Sequence, residues 1–493
     1  MDIELFATPG LGDTSYLVAS DGEAALVDPQ RDVWRFLEVA DARGWRITHV
    51  LETHVHNDYL SGALETRAVN GATIVAPARG GYAFAHRGAD EGTEVRLGNL
   101  RLTALATPGH TPEHLAWAVG AAAAAADSAP DAVFTGGSLL VGTAGRTDLL
   151  GDDRTGELTR LQAISLRRLA ALPPAVRILP THGRGSFCAA GQAAGPLTTS
   201  VGAEQSANAV LEAAGGLLFS DVLLNDLGRY PTYYAQMAPL NRAGPTVLGR
   251  PAAPPAHDVA GFERVAVHGA RIVDARPREA FATAHIPGSL NIELDESFAS
   301  YVGWLVPFDA PILLVLPSPV GEAVMEAVTQ LLRIGYDHVD GILAGGLEAW
   351  AASGRKTRSY ATTSIEQVFD AAARGDRTEL LDVREPVEWR EGVIPWARTI
   401  FVADLTARLG ELPRDRPLTV LCKAGSRAAI AASILDAADI PVRLVASGGA
   451  TGWTDRFAAL PPAPALSPAP ASPAAPALSP APASPAAPAT THS

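Results

Sequence analysis

Cysteine is nearly missing. The 493-residue chain has two, Cys188 and Cys422, which excludes a disulfide framework and any four-cysteine zinc or iron–sulfur site. Lysine is as scarce, with Lys356 and Lys423 the only two. Acidic side chains outnumber Lys plus Arg by 53 to 39, a formal net charge of −14. No broad basic face is left for phosphates, so nucleic acid is not an expected partner. Long apolar runs are absent too. The alanine run 121–126 is followed by Asp127 and falls far short of the ~18 residues of a membrane span. The opening Met1-Asp2-Ile3-Glu4 puts acids where a secretory signal has basic residues. These absences predict a soluble, acidic, cytoplasmic protein with no membrane partner, of about three domains by length.

What is present divides the chain. From Pro461 the sequence is almost entirely Pro, Ala and Ser, and one 12-residue unit at 465–476 recurs unchanged at 477–488. Residues 461–493 are therefore expected to form a disordered, polyproline-rich tail. A second repeat lies upstream. Asp274 and Ile286-Pro287 recur as Asp382 and Ile394-Pro395, each pair 108 residues apart (382 − 274, 394 − 286), and Gly345-Gly346…Trp350 recurs as Gly448-Gly449…Trp453. Two copies of one domain are expected, over 262–355 and 361–460. In each, apolar runs (311–316, 417–421) alternate with helical patterns (321–334, 427–438), which predicts α/β units around a parallel sheet. Residues 1–245 match neither copy, and the Pro-, Ala- and Gly-rich 240–260 reads as the linker.

The first domain carries a histidine constellation. An apolar run at 47–51 leads into Thr53-His54-Val55-His56-Asn57-Asp58-Tyr59, and then come Thr107-Pro108-Gly109-His110, Phe134-Thr135-Gly136-Gly137 and Pro180-Thr181-His182 in order. Each histidine follows an apolar run, at an expected strand end where imidazoles and carboxylates can converge on a metal such as iron or zinc. This order resembles the metallo-β-lactamase fold, and within it most closely the mononuclear-iron persulfide dioxygenases. The resemblance implies an αββα fold with His54 and His110 as metal ligands. The third ligand of that family, an aspartate, falls at Gly137, and the family's Asp-His pair is Asp58-Tyr59 here. His56, Asp58 and His182 are then expected either to hold the ligands from behind or to replace the missing one, with Asp58 the first suspect. A carboxylate returned to position 137 is expected to raise metal affinity. Cys188, six residues past His182, reads either as a small buried hydrophobe or as a thiol at the metal mouth, with Arg184 favouring its thiolate.

The second constellation is Cys422-Lys423-Ala424-Gly425-Ser426-Arg427, between the apolar run 417–421 and a helical pattern. Backbone N–H groups and the helix dipole at such a turn stabilise a thiolate, and Arg427 is placed to bind anions. The segment closely resembles the rhodanese active loop. The resemblance makes Cys422 the sulfur carrier, Arg427 its anion binder, and Lys423, Ala424, Gly425 and Ser426 the loop around the substrate. The flanking Val393-Ile394-Pro395-Trp396 departs from the His-Ile-Pro-Gly typical of the family. The first copy keeps His285-Ile286-Pro287-Gly288, but its loop reads Pro317-Ser318-Pro319 and holds no cysteine. It is expected to be a rhodanese scaffold without catalysis.

Together these resemblances imply a persulfide dioxygenase–sulfurtransferase fusion working in sulfide detoxification. The first domain would oxidise a low-molecular-weight persulfide to sulfite, with one Fe(2+) per chain and Zn(2+) as the lesser alternative. Cys422 would pass sulfane sulfur to sulfite, giving thiosulfate. Self-association into a homo-oligomer is left open. Three alternatives stand beside this reading: a sulfurtransferase with a metal-free first domain, a thioester hydrolase with an accessory rhodanese, and a non-enzymatic sulfur-carrying scaffold.

Overall fold

The computed structural model describes residues 1–125, 128–191, 195–225 and 227–450. The expected tail at 461–493 and Trp453 lie outside the described residues. Among the described residues no helix is long and apolar enough to cross a membrane.

Residues up to Ala243 build two facing six-stranded sheets. The first runs Asp2–Thr8, Asp13–Ser20, Glu23–Val27, Arg46–Leu51, Thr73–Pro77 and Arg87–Ala89, in that spatial order. The second runs Thr199–Ser200, Arg177–Pro180, Ala132–Gly136, Leu115–Ala121, Leu100–Ala106 and Glu94–Leu97. Successive side chains of a strand point to opposite faces. Tyr16 and Val18 therefore meet Trp117 and Phe134 between the sheets. Leu17 and Ala19 face outward, against Phe36 of the helix Trp34–Arg43 and Ala63 of Ala63–Asn70. Burial on both faces is why this strand shows no polar alternation. The helix Asp152–Ala170 covers the second sheet through Ala163, Leu166 and Leu169. The four layers are the expected αββα sandwich. Histidine-bearing loops leave its strand ends: His54 follows Arg46–Leu51, His110 follows Leu100–Ala106, and His182 follows Arg177–Pro180.

The two copies share one topology. The first orders its strands Ala256–His257, Val339–Leu343, Ile312–Val315, Arg271–Asp274, Leu290–Asn291, all parallel. The second orders Ala361–Ser364, Val442–Ser447, Leu418–Leu421, Leu380–Asp382, Ala397–Thr399, again all parallel. Helices cross over between parallel strands, as such sheets require: Val320–Arg333 in one copy and Ser426–Ala437 in the other. Phe298, Val302 and Trp304 of the first copy pack in one continuous core with Val383, Phe401 and Leu405 of the second and with Tyr59, Tyr233 and Met237 of the sandwich.

The linker read at 240–260 is shorter in the structure. The helix Tyr234–Ala243 runs into it, and Ala256–His257 already pairs with Val339–Leu343. Composition marks Pro- and Gly-rich chain but does not register a two-residue edge strand, whose partners lie over 80 residues away in sequence.

Candidate metal centre and cysteine loop

Three imidazoles meet at the strand ends. The ring centroids of His54, His110 and His182 are 5.0, 5.3 and 5.3 Å apart, a nearly equilateral triangle. Each ring has its Nδ1 engaged from behind. His54 Nδ1 donates to Thr53 Oγ1 (2.8 Å), whose own proton goes to Asp28 (2.7 Å). His110 Nδ1 donates to the Arg146 carbonyl (2.7 Å). His182 Nδ1 donates to Asp13 (2.9 Å) and lies 3.2 Å from Asp58 Oδ2. These bonds turn all three Nε2 atoms inward, which is how metal-binding histidines are held. His54 and His182 bring their Nε2 atoms to 3.2 Å, and the buried His110 Nε2 has no hydrogen-bond partner. A buried polar nitrogen left unsatisfied is costly, and a cation at the centre would satisfy all three. The donor set fits a divalent first-row ion.

Electrostatics divide the ring of groups. Burial, reinforced by the neighbouring imidazoles, pushes His54 well down and His110 to about 3, so both are neutral and able to ligate. Burial opposes charge on His182 as well, but Asp58 and Asp13 outweigh it. Burial raises Asp13 to about 8, while His182 holds Asp58 below the usual carboxylate range against the same burial. His56 faces elsewhere: its Nε2 meets Glu52 (3.0 Å), Asp28 (3.4 Å) and Tyr59 Oη (3.2 Å). Despite burial, those carboxylates raise it well above its ordinary value, and its ring still shares two candidate ligand sets, one with Asp28 and His54 and one with Asp58 and His182. Tyr59 stacks on it at 4.4 Å.

Gly137 explains why the triangle closes. A Cβ built there would lie 2.2 Å from His110 Cδ2, so the imidazole occupies the space where a side chain would stand. The Gly137 N–H donates to His114 Nε2 (2.9 Å), and His114 stacks on His54 at 4.9 Å. A carboxylate returned to position 137, as the sequence led us to expect, would therefore have to displace the His110 ring. The loop beside the centre is braced by hydrogen bonds. Asn241 holds the carbonyls of His56 (2.9 Å) and Tyr59 (2.8 Å), and Tyr233 Oη donates to the Asp58 carbonyl (2.8 Å). The adjoining cavity, lined by His54, His56, Tyr82 and Phe84, is about 10 Å³, the size of about one water.

The cysteine loop joins Leu418–Leu421 to Ser426–Ala437, with Gly425 at φ 107° making the turn. Cys422 is 2% exposed and its Sγ accepts the Gly425 N–H at 3.0 Å. Lys423 and Ala424 are exposed, while Ser426 and Arg427 are half-buried. Arg427 is bidentate on Glu388, with Nη2–Oε1 at 2.8 Å and Nη1 on Oε2. Arg427 is thus occupied by a carboxylate of its own domain rather than open to an anion.

Residues 8–182 match the description of the metallo-beta-lactamase superfamily, and 261–353 and 366–456 each match the rhodanese-like domain. A probable metallo-hydrolase of Burkholderia pseudomallei is 35% identical over 219 residues, which are 37% of this chain and 72% of the relative. The chain belongs to the metallo-beta-lactamase superfamily. The hydroxyacylglutathione hydrolase of Methylococcus capsulatus is 36% identical over 189 residues, 36% of this chain and 66% of the relative. A metallo-beta-lactamase structure from Staphylococcus aureus superposes with a TM-score of 0.61 at 28% identity, over 70% of this chain and 98% of that one. The superfamily sandwich is thus followed by two rhodanese-like domains.

Of the site residues read from sequence, His54, His110 and His182 come together. His56 and Asp58 stand behind them, Asp58 on the Nδ1 side of His182. Cys188 lies fully buried in the interdomain core, 3.9 Å from Tyr234 Oη, with its thiol pushed well up by burial. Arg184 is exposed and does not make the thiolate expected of it. Asp13, Asp28, His114, Tyr233 and Asn241 escaped the sequence reading. Only His114, one helical turn's spacing from His110, carried a signal; the others reach the superfamily site from distant segments.

Proposed function

We propose that this chain oxidises a low-molecular-weight persulfide at the His54/His110/His182 centre and transfers sulfane sulfur through Cys422. The observation that carries this reading is the presence in one chain of three converging imidazole rings and a cysteine whose sulfur is held by a helix-start N–H. A bound ferrous ion would supply oxygen activation beside the persulfide sulfur, with zinc supplying only Lewis acidity. The overall reaction is RSSH + O₂ + H₂O giving RSH, sulfite and protons. Asp13 and Asp58 hold His182 in the ligating tautomer, and Tyr233 and Asn241 brace the Asp58 loop and exclude water. In the rhodanese domain, the Cys422 thiolate attacks the outer sulfur of a second persulfide, and the thiol leaves with a proton. Sulfite then attacks the outer sulfur of the Cys422 persulfide, the S–S bond breaks, thiosulfate departs and the thiolate returns. Fusion keeps the product of one centre, sulfite, near the other, where it is the sulfur acceptor, at high effective concentration.

The relatives named hydroxyacylglutathione hydrolase favour a second reading, thioester hydrolysis by the first domain. Gly137 and Tyr59 stand where that reading needs a bridging aspartate and a second-site histidine. Metal analysis and oxygen uptake on glutathione persulfide, in one iron-replete preparation, test the proposal. Stoichiometric iron with persulfide-dependent uptake supports it. Thioester hydrolysis without uptake overturns it in favour of the hydrolase, and a metal-free protein that still transfers sulfur reduces it to a sulfurtransferase.

A further inference from the structure

The cysteine-less copy reaches into the loop of its neighbour. Arg278, at the first turn of Arg278–Thr283, donates from Nη1 to the Ala424 carbonyl at 2.8 Å, with Nη2 3.4 Å from Ser426 Oγ. Glu293 of the same copy holds it from behind, 2.7 Å from Nη2 and accepting the Arg278 backbone N–H at 2.9 Å. The guanidinium is pressed against Gly425: a Cβ there would come 1.8 Å from Nη1. The carbonyl of Ala424 and the N–H of Gly425 belong to one planar peptide group. Arg278 binds its oxygen, and Cys422 Sγ accepts from its nitrogen at 3.0 Å. A cation on the oxygen fixes the plane and polarises the amide, so the N–H aimed at sulfur becomes a stronger donor.

We infer that Arg278 is a positioning residue for Cys422, orienting and polarising the Ala424–Gly425 peptide that stabilises sulfur anions in the loop. This accounts for why a copy without a cysteine stands beside the active one. Arg427 does not take this position: both of its Nη groups are directed to Glu388, whereas Nη1 of Arg278 reaches the Ala424 carbonyl. The same copy and the segment that follows it also grip the far end of the helix Ser426–Ala437, where Asp436 Oδ2 meets His285 Nε2 (3.0 Å) and Arg358 Nε (2.8 Å). That contact anchors the helix without touching the sulfur.

The inference rests on Cys422 being the sulfur carrier, and the test separates the two. Iodoacetamide alkylation of Cys422 at pH 7, read by peptide mass in the full chain, needs no transferase activity. Arg278→Met should slow it roughly tenfold, the worth of a charge-assisted bond acting through one amide. Sulfur transfer should lose a similar factor in kcat with little change in KM, and Arg278→Lys should recover much of both. Arg358→Ala, which loosens the same helix at its other end, should alkylate at the wild-type rate. Unchanged alkylation in Arg278→Met overturns the inference. So does equal slowing in Arg358→Ala, which would mean general loosening of the helix. If the wild-type chain transfers no sulfur, the sulfurtransferase reading fails while the alkylation result still judges Arg278.

Discussion

Putting the aspartate of related metal centres back at position 137 should weaken metal binding, not strengthen it. The Cβ would begin 2.2 Å from His110 Cδ2 and 2.8 Å from Nε2. Ordinary van der Waals contact starts near 3.4 Å, so the ring must retreat by about 1.2 Å (3.4 − 2.2). It has little room: Nδ1 is tied to the Arg146 carbonyl at 2.7 Å, and the rings of His54 and His182 stand 5.0 and 5.3 Å away, centroid to centroid. Overpacking of this kind costs about 1–3 kcal/mol, and the strained hydrogen bond about 1 more. A distortion of about 2–4 kcal/mol at one of three ligands corresponds to roughly 30- to 1,000-fold in affinity. Gly137→Ala separates sterics from chemistry, since it adds the Cβ without a carboxylate. Both variants should bind iron(II) and zinc more weakly than the wild type in competition with a chromophoric chelator. An Asp variant that binds more tightly while the Ala variant matches wild type would refute the steric argument and restore the missing-ligand reading.

That reversal marks where sequence reasoning stops. The three-part order and both parallel-sheet copies were legible because apolar periodicity and repeated landmarks are local, and the αββα sandwich only through the family resemblance that the histidine segments carry. His54, His110 and His182 were legible because each follows a strand, so the chain had to bring them to one edge. Two things were not legible. The identity of the third ligand depends on ring directions, which are set by Asp13, Arg146 and Thr53 from three separate segments. The occupation of Arg427 by Glu388 depends on a helix 39 residues upstream (427 − 388). A glycine read as a lost carboxylate is, in three dimensions, the space into which an imidazole folds. Likewise the copy that lost its cysteine reads from sequence as a spacer, yet its Arg278 touches the loop that kept one.

Cys422→Ala should abolish sulfur transfer to cyanide and to sulfite, and retention of more than a few per cent of turnover would contradict its role. His182→Ala should lose metal as completely as His110→Ala does, measured by metal content after gel filtration; metal retained in His182→Ala but lost in Asp58→Ala would make Asp58 the third ligand. Loading the centre to 100 times Kd should raise the unfolding free energy by about 2.7 kcal/mol, and an unchanged Tm would show that nothing binds the native state. Arg427→Ala should chiefly destabilise the last domain rather than impair anion use, because it strands Glu388, 10% exposed, beside a buried loop. The loss should be about 2–3 kcal/mol in a urea titration, largely recovered when Glu388→Leu is added. The same pair sets an acid limit. Burial alone would raise Glu388, but Arg427 outweighs it and holds the carboxyl below its ordinary value. A carboxyl lowered in the folded state adds stability that is complete above the unfolded value of about 4.5 and is lost as pH falls through the folded one. The unfolded chain takes up the proton first, so stability must fall as the solution is acidified below about pH 5. Glu388→Gln has no such proton to bind and should lose less stability than wild type between about pH 5 and pH 3. Parallel slopes for the two proteins over that range would show that the pair contributes nothing to the acid transition.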